Sequence, residues 1–135
     1  MSISGGGVLV HRSTDRGSTW TTTSLNNDVY DRPWIAHRGN SVFILTRGFD
    51  QVPYLYSSTD GGQSFGPPVV VLGSDPSGSA DGDLGSVVLQ HLSVGADGTL
   101  YVLQERTAGI YVSRLVPGLA ARFVTYGTAQ TLVDT

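Results

Sequence analysis

The sequence has no cysteine, no lysine, one methionine and one glutamate. Without cysteine there is neither a disulfide framework nor a thiolate metal site, and the redox compartment stays open. Charged residues make up only 14% of the chain, with a net charge of −3. That balance argues against nucleic acid and against an anionic membrane surface as partners. All eight basic residues are arginine, which reads as compositional bias. No apolar run approaches the roughly 20 residues of a membrane span. Residues 1–7 show neither a basic nor an apolar leader segment, so no secretion signal is read there. Neither a Gly-x-Ser-x-Gly elbow nor a phosphate-cradling glycine loop occurs. His11, His37 and His91 sit on different expected strands with no His-x-x-x-His pair. They read as strand-surface or satisfied core residues and not as ligands.

What is present points to a turn-rich β protein. The 135 residues include 18 glycines and 6 prolines, with 39% hydrophobic content. One eight-residue pattern occurs twice. The first copy is Ser13-Thr14-Asp15-Arg16-Gly17-Ser18-Thr19-Trp20, and the second is Ser58-Thr59-Asp60-Gly61-Gly62-Gln63-Ser64-Phe65. Both read Ser-x-Asp-x-Gly-x-Ser/Thr-aromatic, and the two aspartates lie 45 residues apart. Asp tolerates turn conformations and can accept N–H groups of its own turn. The glycine two residues later supplies positive φ without a steric penalty. The hydroxyls cap neighbouring backbone groups, and the aromatic opens the next strand with a large apolar face. The pattern predicts a self-satisfied hairpin turn, between strands at 9–13 and 20–24 and again between strands at 54–58 and 69–72.

This pattern resembles the Asp-box, or BNR repeat, of the sialidase-like β-propellers. Propeller blades of four short strands repeat at about 40–50 residues. The resemblance implies an all-β, partial β-propeller of four-stranded antiparallel blades, with each box between the third and fourth strands. It makes Ser13, Asp15, Gly17, Trp20, Ser58, Asp60, Gly62 and Phe65 structural and not catalytic. Residues 1–29 read as the outer half of a blade and 30–72 as a complete blade with strands at 30–37, 41–46, 52–58 and 69–72. Residues 73–86 read as an acidic Gly/Ser-rich linker. Residues 87–135 read as a degenerate third blade without an aspartate box, with strands at 87–94, 99–104, 110–116, 123–126 and 130–133. Closed propellers need about four to eight blades. A piece of a longer protein, a split reading frame or self-association would each complete the ring. The family resemblance suggests a secreted or cell-surface setting.

The same resemblance gives candidate site residues. The loops opposite the boxes collect Asp28, Asp31, Arg32, Arg47, Asp50, Asp75, Asp81, Asp83, Glu105 and Arg106. Sialidase-like sites clamp a substrate carboxylate with arginines, whose fork matches it bidentately. They add a tyrosine nucleophile, an assisting glutamate and an aspartate acid/base. Glu105 is the candidate for the catalytic glutamate, and Arg32, Arg47 and Arg106 for substrate contacts. Tyr30-Asp31-Arg32-Pro33 departs from the family's aromatic-Arg-Ile-Pro motif, because its arginine does not directly follow the aromatic. The resemblance implies a glycan or sialoside as ligand, with no cofactor. A non-catalytic interaction propeller and a lyase or glucanase with other carboxylates remain as alternatives. Asp75, Ser77, Ser79, Asp81 and Asp83 alternate like the oxygen ligands of a calcium loop. Pro76 intrudes, the bidentate glutamate is missing, and the run reads as an inter-blade loop.

Overall fold

The computed structural model describes residues 2–4, 7–25, 29–48, 52–71, 88–106, 109–115 and 124–128. All regular structure among them is β. The strands are β1 (Ser2–Ser4), β2 (Gly7–Arg12), β3 (Thr21–Leu25), β4 (Val29–Arg38), β5 (Ser41–Gly48), β6 (Pro53–Ser58), β7 (Val69–Val70), β8 (Val88–Val94), β9 (Leu100–Arg106), β10 (Gly109–Leu115) and β11 (Val124–Thr128). They form three antiparallel sheets in simple up-and-down order: β1-β2-β3, β4-β5-β6-β7 and β8-β9-β10-β11.

The middle sheet is buried on both faces, and its sequence says why. Val42-Phe43-Ile44-Leu45 is a continuous apolar run, as a doubly covered strand requires. Side chains alternate along a strand, and the register sets Ile44 opposite Tyr56 and Leu45 opposite Leu55. Ile44 and Tyr56 pack with Val8, Val10 and Leu25 of the first sheet. Leu45 and Leu55 point the other way, to Val71 and to Leu92, Leu100 and Val102 of the third sheet. Two apolar layers thus stack three sheets face to face.

The long strands β4 and β8 lie side by side. The rings of Trp34 and His91 meet edge to face at 5.5 Å and 71°. At one end of this pair, the β4–β5 turn and the β8–β9 turn line a common cleft. The two strands therefore run in the same direction. Gly39 at φ +57° and Gly98 at φ +87° make these tight turns.

Several expectations shift at their boundaries. Ser2–Ser4 pairs with β2 through Ile3↔Val8, so the first sheet has three strands and not the two of an outer half-blade. Arg47, Glu105 and Arg106, expected in loops, lie in strands. The β5–β6 hairpin closes one step later, through Gly48 N–H donating to Val52 O at 2.9 Å. The β9–β10 ladder runs on to Arg106↔Gly109. β7 covers Val69–Val70, and Pro67 and Pro68 just before it have no N–H with which to extend the ladder in that direction. β11 covers Val124–Thr128. The strand expected at 130–133 and the linker 73–86 lie outside the described residues.

One core position carries a defect. Thr46 is fully buried, and its Oγ1 has no hydrogen-bond partner. A desolvated hydroxyl without a partner destabilises the folded chain. Thr46→Val, which keeps the shape and removes the hydroxyl, is expected to raise stability by about 1 kcal/mol. Urea unfolding followed by circular dichroism checks this, and a loss of stability would mean that the hydroxyl is satisfied in solution.

Candidate functional site

The two eight-residue turns are held by hydrogen bonds of their own side chains. In the first, Ser13 Oγ donates to Asp15 Oδ1 at 2.8 Å and accepts the Gly17 N–H at 2.7 Å. Asp15 Oδ1 also accepts the Thr19 N–H at 2.8 Å, and Oδ2 accepts the Thr19 hydroxyl at 2.5 Å. The second turn repeats this atom for atom. Ser58 Oγ donates to Asp60 Oδ1 at 2.7 Å and accepts the Gly62 N–H at 2.8 Å. Asp60 Oδ1 accepts the Ser64 N–H at 3.0 Å and Oδ2 the Ser64 hydroxyl at 2.6 Å. Gln63 N–H adds a further bond to Asp60 Oδ1 at 2.9 Å. The first turn joins β2 to β3 and the second joins β6 to β7.

Both carboxylates are held below the ordinary value of 3.8. For Asp15 the Thr19 hydroxyl contributes most, then the Thr19 amide and the Ser13 hydroxyl, and together they bring it to about 2. For Asp60 the Ser64 hydroxyl leads, followed by the Ser64 amide and the Ser58 hydroxyl. A carboxylate saturated with donors is a poor proton donor near neutral pH. The oxygens of these aspartates are taken up by donors of their own turns.

The turns also tie neighbouring sheets. Arg12 Nε donates to Gly61 O at 2.8 Å, and Thr23 Oγ1 donates to Gln63 O at 3.4 Å. Gly61 N–H in turn donates to Asn40 O at 2.8 Å. The second turn, the β4–β5 turn and the end of β2 thus share one edge of the sheet stack. Beside them lies an open cleft of about 620 Å³ lined by Arg38, Gly39, Ser41, Phe43, Val94, Asp97 and Gly98. Asp97 is held low first by the Thr99 amide and then by the Thr99 hydroxyl, with Arg38 a minor contributor. The expected strands at 87–94 and 99–104 leave a turn here, and Asp97 closes it by accepting the Thr99 N–H at 3.0 Å and the Thr99 hydroxyl at 2.8 Å. The Asp-Gly-Thr spacing was the available signal. Arg12 was missed, because its partner lies 49 residues away.

The candidate ligand residues lie at the opposite edge. Arg47 is half-buried near the end of β5 and pairs in register with Asp31 of β4. Arg32 follows Asp31 at an irregular step of the same strand. Glu105 is exposed near the end of β9, opposite Val88 and Ile110. Arg106 closes β9. The side chains of Arg32 and Arg106 fall outside the described part of the structure, as do residues 75–83 of the calcium-like run. The register brings Arg32 and Arg47 to neighbouring strands of one sheet, whereas Glu105 and Arg106 belong to the next sheet. Among the described residues no three His, Asp or Glu side chains gather as a metal-binding set.

Two expectations follow from the turns. A lowered folded-state pKa gives stability that is present above the unfolded value and lost as pH falls through the folded value. For Asp15 that window runs from 3.8 down to about 2. Urea midpoints are expected to drop between about pH 5 and about pH 2.5. The Asp15→Asn/Asp60→Asn double variant should be less stable at the upper pH and show a flatter profile; an unchanged slope would sink this account. The second concerns Arg16, at φ +60°, where the second turn has Gly61 at φ +71°. A left-handed non-glycine residue is strained by about 1–2 kcal/mol, partly offset by the greater unfolded-state entropy of glycine. Arg16→Gly should therefore stabilise by about 0.5–1 kcal/mol in thermal unfolding.

No family model matches this chain, and neither a curated protein nor a solved structure matches it.

Proposed function

We propose that the chain is a segment of a sialidase-like Asp-box β-propeller, and that it serves a glycan-binding or glycan-hydrolysing protein. The observation that carries this reading is the matched pair of aspartate turns. Each closes the last two strands of an up-and-down sheet, and the sheets stack with β4 and β8 side by side in one direction. In a radial array these strands would line the axis. The strand ends away from the turns would then form the ligand face, with Arg32, Arg47, Glu105 and Arg106 on its rim.

The ligand class follows from that rim. Guanidinium groups favour a carboxylate, so an acidic sugar such as a sialoside suits them better than a neutral one. Glu105 would take the part of the carboxylate that assists the nucleophile. In this proposal the chain alone has no turnover, because Arg32 and Arg47 stand on a different sheet from Glu105 and no tyrosine nucleophile is assigned.

A second reading is a non-catalytic interaction propeller. It is favoured by Glu105, which lies exposed in a regular ladder and not in a loop closing over a pocket.

Saturation-transfer NMR with sialyllactose and a fluorogenic sialoside assay separate these readings. Weak binding reduced severalfold by Arg32→Ala, with no product release, is expected. No binding would favour the interaction propeller. Robust release abolished by Glu105→Gln would overturn the view that the chain alone is inactive.

A further inference from the structure

The sheet contacts within the chain reuse one pair of faces, and both members of that pair recur at the ends of the stack, half-buried at Leu9, Leu103, Val112 and Arg114 and exposed at Trp20 and Tyr101. From β2, Val8, Val10 and Arg12 reach the middle sheet; the two valines enter the apolar layer and Arg12 donates to Gly61 O of the second turn. On β10, Val112 and Arg114 stand in the same alternation as Val10 and Arg12. The register sets them opposite Leu103 and Tyr101. They therefore share the face of the third sheet that points away from buried Leu100 and Val102. Tyr101 on this face is 39% exposed.

The first sheet carries the complementary half. Trp20 holds the position in the first turn that Phe65 holds in the second. Phe65 packs on the apolar layer between the first two sheets, whereas Trp20 is 61% exposed. Its indole N–H donates to Gly17 O at 2.9 Å, which fixes the ring over its own turn. Leu9 and His11 stand 45 residues before Tyr54 and Tyr56, and both lie on the face of β2 turned away from Val8 and Val10. Trp20 and Tyr101 are the exposed large side chains of the two end faces.

The geometry points to a second copy of this chain as the occupant. The third sheet of one copy seats on the first sheet of the other, continuing the series of contacts already made between sheets. Tyr101 then covers Trp20 and Leu9, as Phe65 is covered in the layer between the first two sheets. The contact is heterologous, so a two-copy assembly makes it twice. Two copies of three sheets give six, within the range of about four to eight at which radially stacked sheets close. This inference needs only the sheet packing, and a failed sialoside assay leaves it standing.

Light scattering of the purified chain, with circular dichroism on the same peak, tests it. The expected result is a β-rich species of twice 14.3 kDa. A folded monomer at every concentration, open-ended polymers, or an aggregate without β signal would each overturn it. Trp20→Glu and Tyr101→Arg, both at exposed positions, are each expected to weaken dimerisation at least tenfold with the β signal retained. Mixing the two variants should restore a dimer, because one of its two contacts is then native. An effect from only one variant, or no rescue on mixing, would show a different interface and overturn the head-to-tail arrangement.

Discussion

A carboxylate that closes its own turn is the constraint on which this chain depends. Between β6 and β7 the backbone leaves the ladder for ten residues, and its polar groups need partners. Asp60 and Ser58 supply them from inside the turn: one hydroxyl and one carboxylate take the amides of Gly62, Gln63 and Ser64. Buried or crowded amides without partners are costly, so the turn persists because its donors are already satisfied. This frees its carbonyls to face outward, and Gly61 O and Gln63 O become the anchors for Arg12 and Thr23 of the neighbouring sheet. A local device thereby becomes a link between sheets.

Stacking then follows from alternation. The middle sheet can be covered on both faces only because Ile44 and Leu45, and Leu55 and Tyr56, are large and apolar in succession. The first sheet lacks that property. Val8 and Val10 alternate with Leu9 and His11, and His11 Nδ1 meets Thr22 Oγ1 at 3.0 Å on the far side. Its far face therefore carries polar groups beside its apolar ones, which are Leu9 and the exposed Trp20.

The all-β class and the strand order were largely legible because their signals are local. The paired Ser-x-Asp-x-Gly patterns gave two turns, and apolar runs bounded by glycine gave most strands to within one or two residues. What escaped was non-local. Ser2–Ser4 is too short and polar to announce itself, and becomes a strand only when β2 lies beside it. Arg47 and Glu105 looked like loop residues because glycines follow soon after them, yet ladder pairing carried the strands past both. The candidate site was legible as a list of residue types at one edge. Its assembly was not, since no local pattern states which sheets converge there.

The two edges of the stack differ in a way that bears on any function. At the turn edge, the carboxylates of Asp15, Asp60 and Asp97 are each occupied by amides and hydroxyls of their own loops. Such groups stay ionised and geometrically fixed, and little capacity remains for a ligand. At the other edge, Asp31, Arg47 and Glu105 are strand residues whose backbones pair in register with the neighbouring strands. The two edges are thus built differently: self-satisfied loops at one, and strand ends continued by ladder pairing at the other.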